Sequence, residues 1–179
     1  MNLSELLSSE ERTRILKDVI YLDGPIIASP IARKLKISKS LLSVYLKILE
    51  NNRIIVRKDG KVFIDDNVYV RALKVLLVLN GFDTALFSKY KFIRGIGLYG
   101  SCARGENTKD SDIDIWVRIE KTPELKLAGF LKEMKAQNEN FKILFLTDEK
   151  INALRESDNV FFNSLIFGSI LIYGENLEA

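Results

Sequence analysis

The most constraining stretch of this chain is Gly100-Ser101-Cys102-Ala103-Arg104-Gly105 followed, after six intervening residues, by Asp112-Ile113-Asp114-Ile115-Trp116-Val117. The apolar residues Ile96 and Leu98 lead into the first part, and an apolar run follows the second. Two strands joined by a helical turn account for this layout. On a strand, residues two apart share a face, so Asp112 and Asp114 point one way while Ile113 and Ile115 face a packed side. Two carboxylates held that close repel, and burial raises their pKa values further. A cation between them removes the difficulty. Mg2+ is a hard ion of this kind, bound by one or two carboxylates plus substrate phosphates and water. Gly100 lets backbone come close to a ligand, and Ser101 opens a turn whose free N–H groups attract phosphate. A nucleotide site is the chemistry these parts have in common.

The Gly-Ser pair, the Ala103-Arg104-Gly105 that follows and Ser111-Asp112-Ile113-Asp114-Ile115 resemble the signature of the polymerase-beta-like nucleotidyltransferase superfamily, and in particular its minimal archaeal and bacterial members. The resemblance runs over about Ile93 to Tyr173. It implies transfer of a nucleoside monophosphate from a nucleoside triphosphate to a hydroxyl acceptor, with Mg2+ or Mn2+ as the cofactor. Asp112 and Asp114 are then the catalytic metal ligands, and Gly100, Ser101 and Arg104 the nucleotide contacts. Arg104 has an alternative, a salt bridge with Asp110 or Glu106. The family also draws a third carboxylate from a later strand. The strand that should carry it, Phe141-Lys142-Ile143-Leu144-Phe145-Leu146, contains no acid, with Glu139 just before it and Asp148 just after.

The chain has no histidine and one cysteine, Cys102. A Cys/His zinc site and an internal disulfide are therefore excluded, along with the usual serine or cysteine catalytic arrangements. Cys102 reads as a small packed residue in the turn rather than a nucleophile. No apolar run reaches the ~20 residues a membrane helix needs, and MNLSELLSSEER lacks a signal-peptide layout. The expected setting is the cytoplasm, with no membrane partner.

Charge is unevenly spread. Residues 1–80 carry 14 basic and 9 acidic side chains, and residues 81–179 carry 13 and 15. The basic ones cluster as Arg33, Lys34, Lys36, Lys39, Lys47, Arg53, Arg57, Lys58 and Lys61, the footprint expected of a polyanion-binding module. A helix is expected from Ser9 to Leu22, opened by a capping box of Ser8 and Glu11 and closed by Gly24-Pro25. A second covers about Ser29–Leu35. A third is N-capped by Ser38 and runs to Glu50, with Leu42, Leu46 and Leu49 facing inward. Two short strands, Ile54–Arg57 and Lys61–Ile64, meet at Asp59-Gly60, a hairpin signal.

That order resembles a winged helix-turn-helix. The resemblance implies double-stranded DNA as partner, with Ser38, Lys39, Ser40 and Ser43 approaching the major groove and Lys58 and Lys61 meeting phosphates. Leu41, Val44 and Ile48 form a second apolar stripe on the same helix, suited to a partner surface. With the apolar helix Asn67–Asn80, it points to a homodimer.

The expected architecture is α+β: a winged helix-turn-helix over 1–66, a helical connector over 67–90, and a small mixed-sheet nucleotidyltransferase-like domain over 91–179. Three functions stay open. They are a nucleotidyltransferase acting on a protein, RNA or small hydroxylated acceptor; a DNA-binding regulator whose second domain senses nucleotide or dimerises; and an antitoxin-like partner of a separate protein.

Overall fold

In the computed structural model, which describes residues 1–178, separate sets of apolar side chains form the cores of two units. One unit is Met1–Leu77 with Asn107–Lys109, and the other is Val78–Glu106 with the chain from Asp110 onward. Residues 67–77 thus fall in the first unit and 78–90 in the second. No helix among the described residues is long and apolar enough to cross a membrane.

The first unit contains helices α1 (Leu3–Leu6), α2 (Glu10–Val19), α3 (Ala28–Leu35) and α4 (Lys39–Asn51), then strands β1 (Ile55–Lys58) and β2 (Lys61–Ile64). Helix α5 (Val68–Leu79) follows. The cap of α2 is Ser9, not Ser8. Ser9 has the extended backbone a cap requires, and its hydroxyl accepts from the Arg12 amide at 3.2 Å, while the Ser8 hydroxyl accepts from the Arg12 guanidinium. Ser38 caps α4 by accepting from the Leu41 amide. The buried face of α4 is Leu42, Tyr45 and Leu49, with Leu46 only partly covered. Tyr45 takes the inner place because its hydroxyl reaches the Leu6 carbonyl at 2.9 Å, pinning α1, a helix the residue pattern does not announce. Asp59 and Gly60 both have positive φ, as a two-residue type I′ hairpin turn demands. On α5, Val70 and Leu73 are buried in the first core, while Val78 and Leu79 pack with the second.

The second unit runs α6 (Thr84–Ser88), β3 (Ile93–Leu98), α7 (Gly100–Arg104), β4 (Ile113–Ile119), α8 (Glu124–Gln137), β5 (Phe141–Leu146), α9 (Asp148–Ser157), α10 (Asn159–Gly168) and β6 (Ile170–Gly174). The sheet order is β5-β4-β3-β6; β3 is antiparallel to both neighbours and β4 is parallel to β5. This is a mixed sheet with helices on both faces. Ile115, Val117, Ile119 and Phe141 pack with Phe87, Phe130 and Met134 on one side. Trp116 and Leu146 pack with Ile151, Phe162 and Leu165 on the other. Period-two alternation along β4 therefore puts Asp114, Trp116 and Arg118 on the second face. Gly97 makes room there: a Cβ on it would lie 2.3 Å from the Trp116 ring. The indole N–H donates to the Ser169 hydroxyl at 3.0 Å.

Candidate functional site

Strand β3 ends at Leu98, and the chain turns through Tyr99 into α7 before returning along β4. The Tyr99 amide donates to the Asp114 carbonyl at 2.9 Å, which extends the β3–β4 ladder to the turn. Gly100 has φ +71, and a Cβ there would sit 2.7 Å from Oδ2 of Asp114. Two independent requirements thus fall on one glycine, a left-handed backbone and close approach to a carboxylate. Helix α7 has five residues, so what it contributes is this close approach and not the field of a long helix.

Asp114 is on β4, whereas Asp112 lies one residue before the strand begins; the two carboxylates are close enough for Lys142 to act on both and for their charges to act on each other. Burial raises the Asp114 pKa and the Asp112 charge raises it further, while Lys142 pulls it down. Lys142 is the residue that sequence reasoning missed. It is the register partner of Asp114 on the parallel strand β5, and its Nζ lies 2.5 Å from Oδ2 of Asp112. A hydrogen bond and the charge of Asp112 hold the Lys142 ammonium above its ordinary pKa. The sequence does carry a signal for it: one charge inside an otherwise apolar strand.

Ser101 is half-buried at the start of the turn. Arg104 is exposed, and its Nε donates to Glu106 at 2.7 Å, the salt-bridge alternative. Cys102 is buried, with its thiol pointing at the Asp112 carbonyl at 3.3 Å. Burial and the nearby Asp114 charge push that thiol up to about 11, which disfavours the reactive thiolate, and the residue packs in the second core. Tyr99 is a further missed neighbour. Burial and the Asp114 charge raise its phenol pKa, and its ring meets Phe161 edge-on at 6.3 Å.

Neither acid flanking β5 joins the cluster. Glu139 is exposed before the strand. Asp148 follows the far end of β5, six residues beyond Lys142 or roughly 20 Å of strand, and is engaged by Arg118 and Arg94. No group of three or more His, Cys, Asp or Glu that could hold a metal exists among the described residues. A lysine-rich cleft of about 560 Å³, lined by Lys89, Tyr90, Lys91, Lys121 and Lys126 among others, shares no residue with the acid pair.

The remaining candidates are in the first unit. Ser38, Lys39, Ser40 and Ser43 are exposed around the start of α4, and Lys58 and Lys61 face each other as register partners at the hairpin tip. Two of the basic residues nearby are internally paired, Lys34 with Asp18 and Arg57 with Glu50. Leu41 and Val44 stand exposed on α4, whereas Ile48 packs against the core.

A family model described as polymerase beta, nucleotidyltransferase, matches residues 84–178. Among solved structures, a candidate nucleotidyltransferase from Sulfolobus solfataricus is similar at 15% identity, over 59% of this chain and 84% of that one, with a TM-score of 0.37. A likeness that slight bears no weight for fold detail or chemistry. No curated protein matches the chain.

Proposed function

This chain belongs to the polymerase beta nucleotidyltransferase family, and on that premise we propose that it transfers a nucleoside monophosphate from a triphosphate to a hydroxyl acceptor, with Mg2+ or Mn2+. The observation that carries this reading is the pair of Asp112, one residue before β4, and Asp114, on it, with Lys142 drawn to both and Gly100 pressed against Asp114. The Lys142 ammonium drawn to the pair acts as a stand-in cation and supports the fit of a metal ion. Two carboxylates fit one divalent ion completed by phosphate oxygens and water, not a pair of ions held by the protein alone.

When bound, such an ion neutralises the triphosphate and favours attack by the acceptor oxygen. The residues of the chain do the rest by positioning. Asp112 and Asp114 would hold the ion, and backbone at Gly100 and Ser101 would come close to the phosphates. Arg104 would exchange Glu106 for a phosphate oxygen. In the transfer, a bond forms from the acceptor oxygen to the α-phosphorus while the bond to pyrophosphate breaks. The acceptor proton leaves to solvent. The acceptor is a hydroxyl on a protein, an RNA or a small molecule.

The first unit, on this reading, is a winged helix-turn-helix that binds double-stranded DNA. The sequence of α3, turn, α4 and hairpin supports it, as do the exposed Ser38, Lys39, Ser40 and Ser43 and the lysines at the tip. The exposed Leu41 and Val44 support association into a homodimer.

Incubation of the protein with labelled nucleoside triphosphates and candidate acceptors tests the main reading. Transfer lost in Asp112→Asn and Asp114→Asn supports it, and transfer that survives both overturns it. Duplex binding that falls with salt and weakens in Lys39→Ala with Lys58→Ala tests the DNA reading. One observation favours a second function, a regulator that binds nucleotide without transferring it. Lys142 stands on the acid pair on the strand from which a third carboxylate would come. Triphosphate binding without transfer to any acceptor is its expected result.

A further inference from the structure

Lysine is out of place in β5. Its other residues, Phe141, Ile143, Leu144, Phe145 and Leu146, are apolar, and a charge in such a strand needs a reason in its surroundings. Parallel pairing supplies one. Because Lys142 is in register with Asp114, it leaves the sheet on the same face, and its ammonium reaches Asp112 at 2.5 Å. Two adjacent carboxylates would repel each other in the protein without ligand, and one of them, Asp114, is partly buried with Gly100 against it. A tethered single positive charge relieves that repulsion without any ion from solution. It also occupies oxygen sites that a divalent ion would need. The Lys142 side chain is 64% exposed on a flexible stem, so it can leave Asp112 for another anion without becoming a buried, unpaired charge.

We propose that Lys142 is the built-in counter-cation of the Asp112–Asp114 pair, so that the site excludes a bare divalent ion and takes it only as the metal complex of a triphosphate. The triphosphate brings its own negative charge, which offsets the incoming ion and gives the displaced ammonium a phosphate oxygen to meet. The ligand class is thus a metal–nucleoside triphosphate complex and not the free metal. This deepens the reading of the acid pair given above and rests on it.

Binding of Mn2+ to the full-length protein, followed by the electron paramagnetic resonance of the free ion, tests the idea with no turnover involved. Without nucleotide, Lys142→Met binds Mn2+ at least tenfold more tightly than the parent protein. Lys142→Arg keeps the charge and stays as weak as the parent. Adding a non-hydrolysable triphosphate analogue reverses the order, because the parent then gains a lysine–phosphate contact that Lys142→Met lacks. Equal Mn2+ affinity of parent and Lys142→Met without nucleotide overturns the inference. If that equality comes with loss of Mn2+ in Asp112→Asn, the acid pair is still the metal site and only the role of Lys142 falls. If Asp112→Asn with Asp114→Asn alters Mn2+ binding in neither background, both this inference and the reading beneath it fall.

Discussion

Oδ2 of Asp114 lies where a side chain on Gly100 would begin, only 2.7 Å from the position of a Cβ. Backbone and carboxylate are thus fitted to each other, and Gly100 also has a φ of +71 that other residues adopt at a cost. Gly100→Ala is expected to strain the turn by about 1–3 kcal/mol and to displace the Asp114 carboxylate. Thermal unfolding should show a drop of several degrees for the second unit. Triphosphate-dependent Mn2+ binding should weaken by more than tenfold. A variant that binds as the parent does would mean that Asp114 is not held in place by this contact.

Trp116 is the single tryptophan of the chain and is buried against Gly97, so its fluorescence reports the second unit alone. The folded protein should emit at short wavelength and shift red when that unit opens. Gly97→Ala puts a methyl group 2.3 Å from the indole, an overpacking that costs about 1–3 kcal/mol. The urea midpoint read from Trp116 should fall accordingly. An unchanged midpoint would show that the ring has room to move.

Much of this arrangement was legible because it is local. The nearness of Asp112 and Asp114 follows from their spacing at the start of β4, the Asp59-Gly60 turn from its residue types, and the cap at Ser38 from its place before an apolar helix. Tyr45 was less legible, since Leu46 fits the inward stripe equally well and only the Leu6 carbonyl, 39 residues away, decides between them. For Lys142 the sequence shows only an isolated charge in an apolar strand, and not its role. That role depends on β5 returning parallel to β4 after α8, in a register that pairs residue 142 with 114. A slip of one residue would have turned the lysine to the opposite face.

Tyr45 is buried, and its hydroxyl donates to the Leu6 carbonyl at 2.9 Å. Tyr45→Phe leaves that carbonyl without its donor and should cost about 1–2 kcal/mol. Burial raises the phenol pKa above its ordinary 10.0, against a smaller opposite pull from Arg12. A raised folded value means that the neutral phenol stabilises the fold fully below pH 10. That contribution is lost as pH climbs above 10 towards the raised value. Circular dichroism follows both units and Trp116 only the second, so their difference isolates the first. The alkaline loss seen in that difference should be smaller in Tyr45→Phe than in the parent. An equal loss would place its origin elsewhere.

Arg118 is the buried cation of the second unit, 5% exposed. Its Nε and Nη2 donate to one oxygen of Asp148 at 3.1 and 2.9 Å, and its Nη1 donates to the Asn176 carbonyl at 2.8 Å. Arg94 binds the other Asp148 oxygen and Glu175, closing a set of two cations and two anions. Removing one partner of a buried pair leaves a charge without its counterpart, whereas removing the buried charge itself does not. Asp148 is 57% exposed, so solvent screens part of the effect. Asp148→Ala should therefore destabilise the second unit by about 1–3 kcal/mol, and Arg118→Met by less. The double variant should resemble Arg118→Met, because with the guanidinium gone Asp148 keeps, among the described residues, only its 3.5 Å contact to Arg94. Urea unfolding followed through Trp116 measures all three. Additive losses in the double variant would show that the two side chains act independently and that the ion pair contributes no coupling.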